Sequence, residues 1–240
     1  MPSRADRLYA AASRKLRLPD GYLREVLHYE PADIYPVKRI PDRLRVLTYD
    51  LNGGHSYVDW SVSTPPDDYR NWPTGDTKKN AYDLPALPFG MESLIIADAT
   101  SRIPVCEGLT DWLVANFFRT WSSPTIGAAG LGSMVATVER LVAHGIEPSR
   151  IVLIADHDKP EKVGARQQLG GVIRTLRATY PAVSYLRPAR VGWDIADGWR
   201  TYRAAWADTV NAAIEAIPAG ASDSIVEPDA APVVQIREVA

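Results

Sequence analysis

The chain has 240 residues, of which 46% are hydrophobic and 23% charged, and its formal net charge is -2. Such a composition is typical of a globular protein with one large domain or two small ones. A net charge near zero gives no overall attraction to nucleic acid, so contact with a polynucleotide requires a local basic surface. The single cysteine, Cys106, excludes an internal disulfide and a multi-cysteine zinc ribbon.

No apolar stretch approaches the roughly 20 residues that span a bilayer, and the N-terminal segment lacks the apolar region of a secretory signal. We therefore expect a cytoplasmic protein with no membrane partner. The sequence also lacks the Gly-x-x-x-x-Gly-Lys-Ser/Thr phosphate loop, so it contains no recognisable nucleotide-hydrolysing motor.

The first third of the chain predicts a mixed α+β segment. Apolar residues at helical spacing behind Ser3, a suitable N-cap, predict a helix at 3–16, and a second short helix is expected at 20–29. The sequence LRVLTYDLNGGHSYVDWSV at 44–62 alternates apolar and polar residues around Asn-Gly-Gly. This pattern predicts a β-hairpin.

The stretch from Thr64 to Pro88 is polar and proline-rich and predicts a long loop. It carries Arg70, Lys78 and Lys79, the best candidates for a basic surface. An ordinary solvated loop is the competing interpretation, because most exposed lysines bind no ligand.

From Met91 onward, strand and helix patterns alternate as in βαβ units. Strands are predicted at 103–106, 125–128, 151–155 and 183–186, with amphipathic helices between them and a last helix at 199–217. Tryptophans on the helical stripes are expected in the core, whereas two others, near the hairpin and the loop, are candidates for base stacking. The core set is Trp112, Trp199 and Trp206; the stacking candidates are Trp60 and Trp72.

The run Ile151–Ala155 is short and rich in β-branched residues, which indicates a strand buried on both faces of a parallel sheet. Asp156, His157 and Asp158 follow it directly. Ligands of open α/β sheets bind beyond the carboxyl ends of the strands, so the two carboxylates lie where a site is expected. His157 between them either contacts a phosphate or carboxylate or is a packed or solvated side chain.

Other carboxylates follow other predicted strands: Glu107 comes after one, and Asp194 and Asp197 come after a later one. Carboxylate oxygens suit Mg²⁺ or Mn²⁺, which bridge to substrate phosphates, so this pattern favours phosphoryl or nucleotidyl transfer. Each position alone is a weak signal, because a glutamate at a strand end is more often solvated than catalytic.

Four motifs in order strengthen the signal. PVCEGLTDWLVA, GAAGLGSM, IVLIADHD and WDIADGW, between about residues 104 and 198, resemble the glutamate, glycine, D-x-D and Asp-x-x-Asp motifs of the Toprim domain of primases, topoisomerases and some nucleases. The preceding hairpin sequence and AYDLPALP are similar, more loosely, to the segment before the Toprim motifs in phage and plasmid primases.

The resemblance implies an α/β fold with a Toprim-like (Rossmann-like), mostly parallel sheet flanked by helices, preceded by a smaller mixed α+β segment with a β-hairpin. The corresponding domains are residues 1–95, the Toprim domain at 96–218 and a flexible acidic tail at 219–240. One departure is that the D-x-D is followed by KPEKV, with Gly164 six residues beyond Asp158, where many primases have a glycine after three.

The resemblance also implies residue roles. Glu107 would act as general acid/base or metal organiser, Asp156 and Asp158 as metal ligands, and Asp194 and Asp197 as ligands of a second metal or of the nucleotide. The catalytic set is then Glu107, Asp156 and Asp158, with Mg²⁺ or Mn²⁺ as cofactor. Arg70, Lys78 and Lys79 would steer the template or the triphosphate.

The expected function is primase-type nucleotidyl transfer, which makes RNA primers on single-stranded DNA from nucleoside triphosphates, with a replicative helicase as a further partner. Two alternatives stay open. A Toprim nuclease would use the same metal cluster for phosphodiester hydrolysis, and a degenerate Toprim module would bind DNA or a replisome partner without catalysis.

Overall fold

The structure is a computed structural model that describes residues 2–31, 42–62, 77–80, 84–96, 98, 100–119, 124–217 and 223–226. The chain forms two compact units. The first comprises Met1–Tyr49 and Gly53–Leu87, and the second comprises Asp50–Asn52 and Pro88–Ala240. The sequence suggested a boundary at residue 95, and the two compact units divide after Leu87.

Two helices open the first unit, α1 at Arg4–Leu16 and α2 at Asp20–Val26. Ser3 caps α1: its hydroxyl oxygen accepts from the Asp6 N–H at 3.1 Å, and the Asp6 carboxylate accepts from the Ser3 N–H at 3.0 Å. The predicted α1 is therefore confirmed. The predicted second helix is too long, because it ends at Val26 and residue 29 lies in a strand.

The first unit also contains a four-stranded antiparallel sheet in the order β1-β2-β3-β4. Its strands are β1 at His28–Glu30, β2 at Arg43–Tyr49, β3 at His55–Ser61 and β4 at Thr77–Asn80. Strands β2 and β3 form the predicted hairpin, and Gly53 takes a φ of +87° in its turn. Trp60 is completely buried, so the prediction that it stacks on bases is wrong.

Part of the predicted loop at 64–88 is a strand. Lys78 and Lys79 lie in β4, in register with Trp60 and Asp59 of β3. The prediction that these two lysines sit on a loop is therefore wrong, because the backbone there completes the sheet. Their side chains, and the whole of Arg70 and Trp72, lie outside the described residues.

The second unit contains a five-stranded parallel sheet in the order β6-β5-β7-β8-β9. Its strands are β5 at Ile103–Cys106, β6 at Ile126–Gly127, β7 at Ile151–Ile154, β8 at Ser184–Pro188 and β9 at Asp223–Val226. Its α-helices are α3 at Leu109–Phe118, α4 at Met134–Ala143, α5 at Val163–Thr179, α6 at Ile195–Tyr202 and α7 at Ala204–Ala216. The predicted α/β class with a mostly parallel sheet flanked by helices is confirmed, and the predicted hairpin of the first unit is part of a separate antiparallel sheet.

Burial explains why the central strands form where they do. Every residue of β5 and β7 is buried, as expected for strands covered on both faces. Val105 and Leu153 join Val138 of α4 and Leu176 of α5 in one apolar core. Each such side chain contributes about 1.5–3 kcal/mol of transfer free energy when fully buried.

Three predictions for the C-terminal part need correction. The expected helix at 199–217 is two helices, which meet at Arg203 with a φ of +57°. The segment from Asp194 to Asp197, whose polar sequence indicates a turn after a strand, is the start of α6, because Asp194 is the N-cap of that helix. Within the predicted flexible tail, Asp223–Val226 pairs with β8 as the edge strand of the sheet.

The three tryptophans of the predicted core set, Trp112, Trp199 and Trp206, are all buried. Among the helices of the described ranges, none has both the length and the apolar character that crossing a bilayer requires.

Candidate metal centre

The parallel sheet brings several carboxylates to one edge. Strands β5, β7 and β8 run side by side in register, with Cys106 opposite Ile154 and Ile154 opposite Leu186, so their carboxyl ends share that edge. Glu107 directly follows β5, Asp156 lies two residues after β7, and Asp194 caps α6 after the loop that leaves β8. The edge position is the one at which open α/β sheets bind ligands.

Three aspartates come closest together. Asp111, Asp156 and Asp194 each offer a carboxylate oxygen, and these oxygens lie within 4.8 Å of one another. Asp111 is 6% exposed and lies in the first turn of α3. One of its oxygens accepts from the Ala196 N–H at 3.0 Å, and an Asp194 oxygen accepts from the Asp197 N–H at 2.5 Å. Backbone N–H groups of α6 thus hold two of the three carboxylates in place.

Glu107 lies beside this triad. Its carboxylate accepts from the backbone N–H of Asp156, while its Oε2 atom is buried without a hydrogen-bond partner. Burial raises the pKa of Glu107, the hydrogen bond from Asp156 opposes this, and the charges of Asp158 and Asp194 add to the rise. A buried carboxylate oxygen without a donor is costly unless a ligand supplies one or a cation binds it.

Asp156 has the strongest perturbation. Burial raises its pKa to about 10, reinforced by the negative charges of Asp111, Glu107, Asp194 and Asp158. Such a group must either hold a proton or have its charge balanced by a cation. The donor set consists of oxygens alone, as hard divalent cations such as Mg²⁺ and Mn²⁺ prefer. The residues present therefore fit a divalent metal.

Two predicted ligands are placed differently. Asp158 accepts from Lys162 Nζ at 2.7 Å, so an ion pair already engages it, although its charge still acts on Glu107 and Asp156. Asp197 accepts from the Asp194 N–H at 3.4 Å and pairs with Arg200, and it is not part of the triad. The structure thus brings Glu107, Asp156 and Asp194 together and gives Asp197 a capping role.

Asp111 is the member that sequence reasoning missed, although it lies inside the PVCEGLTDWLVA motif. Its signal was available: it is the single charged residue of the otherwise apolar or neutral helix LTDWLVANFF. A charge that the helix pattern places among buried neighbours needs a partner or a function.

His157 is held by hydrogen bonds to the neighbouring strand end. Its Nδ1 lies 2.9 Å from the Pro188 carbonyl oxygen and its Nε2 lies 3.4 Å from Arg187 Nη1. Its backbone pairs with the loop after β8: the His157 N–H donates to Trp193 O at 2.9 Å and the Gly192 N–H donates to His157 O at 2.5 Å. The packed interpretation of the ring is thus the one that its contacts favour.

Cys106 is fully buried, and burial raises the pKa of its thiol well above the usual value. Cys106 is therefore a core residue.

No known protein family has a model that matches the sequence, and a search of curated proteins finds no match either.

Proposed function

We propose that the second unit is a divalent-metal-dependent enzyme of nucleotidyl transfer that makes oligoribonucleotides on single-stranded DNA, as a primase does. One observation carries this proposal: the oxygens of Asp111, Asp156 and Asp194 lie within 4.8 Å of one another at the carboxyl edge of a parallel sheet. The ordered Toprim-like motifs supply the choice of reaction, because a metal cluster alone serves many phosphoryl-transfer enzymes.

In this proposal Asp111, Asp156 and Asp194 hold the metal, and the free Oε2 atom of Glu107 is left for proton transfer. When bound, the metal neutralises the carboxylates and stabilises negative charge on phosphate oxygens. Magnesium and manganese share the oxygen ligands that this set offers. Either ion is therefore a suitable cofactor.

Glu107 is the group assigned to proton transfer. During primer synthesis a 3′-hydroxyl oxygen attacks the α-phosphorus of the next nucleotide, the hydroxyl proton leaves to a base, and pyrophosphate departs. A carboxylate of raised pKa beside the reacting oxygen can accept that proton. The metal's positive charge lowers the pKa again, so the balance between the two sets the working pH.

The same cluster would also serve hydrolysis, with water in place of the hydroxyl nucleophile. The Lys162–Asp158 ion pair supports a third candidate, a non-catalytic binding module, because an internal cation already neutralises one predicted ligand. A single assay separates these candidates from the primase proposal.

The assay incubates the full chain with single-stranded DNA templates, labelled nucleoside triphosphates and Mg²⁺ or Mn²⁺. We expect oligoribonucleotide products, and at least a 100-fold loss of product with Asp156→Asn. The matched control is Asp208→Asn, the same change at an exposed position of α7, which should retain activity. Degradation of the strand without synthesis would select the nuclease, and a folded protein that does neither would select the binding module.

A further inference from the structure

We propose that Arg187, oriented by His157, forms a phosphate-binding subsite next to the acidic cluster. The inference rests on the proposed function, since the phosphate is that of the nucleic-acid strand or of the nucleoside triphosphate. It assigns a substrate contact to a residue outside every motif that the sequence singled out.

The sheet places Arg187 at the edge where the carboxylates lie. Leu186 of β8 is in register with Ile154 of β7, and the Ala155 N–H donates to Leu186 O at 3.1 Å. Arg187 is the next residue along β8 after Leu186. Asp156 and His157 come directly after Ala155, in the segment that follows the neighbouring strand β7. Adjacent strands lie about 4.8 Å apart, so the Arg187 backbone lies beside the segment that carries Asp156 and His157.

The ring of His157 fixes the guanidinium. The Pro188 carbonyl oxygen can only accept a hydrogen bond, so the nearby Nδ1 carries the proton. Arginine can only donate, so the Nε2 atom, 3.4 Å from Arg187 Nη1, presents its lone pair. His157 is thus a positioning residue: its ring ties Arg187 to the end of β8 and leaves the remaining guanidinium donors to other groups.

Among the side chains that the structure describes, which do not include those of the adjoining edge strand β9, Arg187 has no counter-ion. It is half-buried, and its one hydrogen-bonded partner among them is His157. Two other half-buried arginines do have a counter-ion, since Arg45 pairs with Asp59 and Arg200 pairs with Asp197. A partly desolvated guanidinium without an anion is costly. An external anion accounts for this arrangement.

Two further cations lie on the loops that follow β7 and β8. The stem of Lys159 packs across Gly192, where an added Cβ would lie 2.8 Å from its carbon atoms, and Gly192 has a φ of +83°. The Arg190 guanidinium carbon lies 4.5 Å from the centre of the Trp193 ring. These charges offset the repulsion between the acidic cluster and an approaching phosphate.

Phosphate fits the donor best. A guanidinium presents parallel N–H groups that match two phosphate oxygens, and such charge-assisted pairs are among the strongest hydrogen bonds in proteins. A phosphate bound there would lie beside the carboxylates that hold the metal, which is the arrangement that phosphoryl transfer requires. A neutral or cationic ligand would leave Arg187 without its anion.

The test measures binding with the full chain in Ca²⁺, using a labelled single-stranded DNA oligonucleotide in one arm and a nucleoside triphosphate in the other. Arg187→Gln should weaken binding of at least one probe about tenfold or more, which is the scale of one charge-assisted hydrogen bond. The arm that loses affinity identifies the source of the phosphate. The matched control is Arg174→Gln, which removes the same charge from an exposed position about 16 Å from the first residue of α5. This variant should leave both affinities unchanged.

A second comparison isolates the role of His157. His157→Ala should weaken the same probe, and the double variant should be no weaker than Arg187→Gln alone, because the ring acts through the guanidinium. His157→Gln, which retains a donor and an acceptor, should recover part of the affinity. Additive losses would overturn the positioning role.

Metal titration separates this inference from the proposed function. Arg187→Gln should bind Mn²⁺ as the wild type does. Unchanged binding of both probes by a folded Arg187→Gln variant, or no binding of either probe by the wild type, would overturn the subsite. Wild-type protein that binds the probes through Arg187 but neither binds metal nor makes or cleaves a strand would overturn the proposed function alone.

Discussion

Asp156 is the residue of the cluster whose pKa is raised by the negative charges of four other carboxylates. In the unfolded chain its carboxyl ionises near the ordinary value of 3.8, whereas in the metal-free folded protein its pKa is raised to about 10. Between these values the folded state holds a proton that the unfolded state has lost. Stability therefore falls as pH rises through that interval, and the favourable contribution is complete only below pH 4.

Asp156→Asn removes this titration and should stabilise the metal-free protein increasingly as pH rises. The difference between variant and wild type can grow by up to about 1.4 kcal/mol per pH unit, the linkage limit for one proton. Thermal melts in EDTA at pH 5, 6.5 and 8 measure it, with Asp208→Asn as the reference. A difference that stays constant across these pH values would contradict the assigned burial and repulsion.

Lys162 supplies a positive charge that a metal ion would otherwise supply. Its ammonium group is 2.7 Å from Asp158, and it also interacts with Asp156 and Glu107. We expect Lys162→Gln to bind Mn²⁺ a few-fold more tightly than the wild type, because an internal competitor is lost. Isothermal titration calorimetry checks this, and an unchanged or weaker affinity would show that the lysine does not compete with the metal.

At the scale of elements, α6 positions two members of the site. Asp194 is its N-cap, and the Ala196 N–H in its first turn holds Asp111. Behind them, Gly198 packs on the face of Trp206, whose Nε1–H donates to Ile195 O at 3.1 Å. A Cβ at Gly198 would overlap the Trp206 ring, so the start of the helix depends on this close approach.

Gly198→Ala should therefore destabilise the protein by about 1–3 kcal/mol, the usual cost of overpacking, and should also weaken metal binding by displacing α6. Gly171→Ala on α5 is the matched control, since a Cβ there meets no atom within 4 Å. It should stabilise by up to about 1 kcal/mol through helix propensity. Urea denaturation of both variants gives the comparison; equal effects would contradict the packing argument.

The sequence predicted those elements whose signal is local. Strands β5 and β7 are apolar runs, and α1 has a capping serine with an acidic residue three positions later. All three elements were therefore predicted from the local sequence. The break at Arg203 was not predicted, because an arginine with positive φ has no sequence signal. Strand β9 was missed because its pairing with β8 depends on the finished sheet.

The site was predictable to the same degree. Glu107 and Asp156 were predicted as site residues because each follows a predicted strand, and Asp194 was predicted from the Asp-x-x-Asp pattern. Asp111 is placed by a hydrogen bond to Ala196, 85 positions away, and Arg187 by its contact with His157, 30 positions away. Such contacts follow from packing of α3 and α6 and from pairing of two loops, neither of which the sequence pattern predicts.

At the scale of the whole molecule, a net charge of -2 conceals a strong local separation of charge. Five carboxylates gather at the ends of β5, β7 and β8, while Arg187 lies near the end of β8 and Lys159 and Arg190 lie on the adjoining loops. An acidic centre with a cationic border suits a ligand that brings both a metal ion and phosphates. The overall composition therefore says less about partners than this local distribution does.

The most direct measurement is a Mn²⁺ titration followed by electron paramagnetic resonance, in which the signal of free Mn²⁺ reports the unbound ion. We expect the wild type and Asp208→Asn to bind at least one equivalent, and Asp156→Asn to lose that binding. Mn²⁺ uptake by Asp156→Asn equal to that of the wild type, or no uptake by folded wild-type protein, would contradict the metal centre on which the proposed function depends.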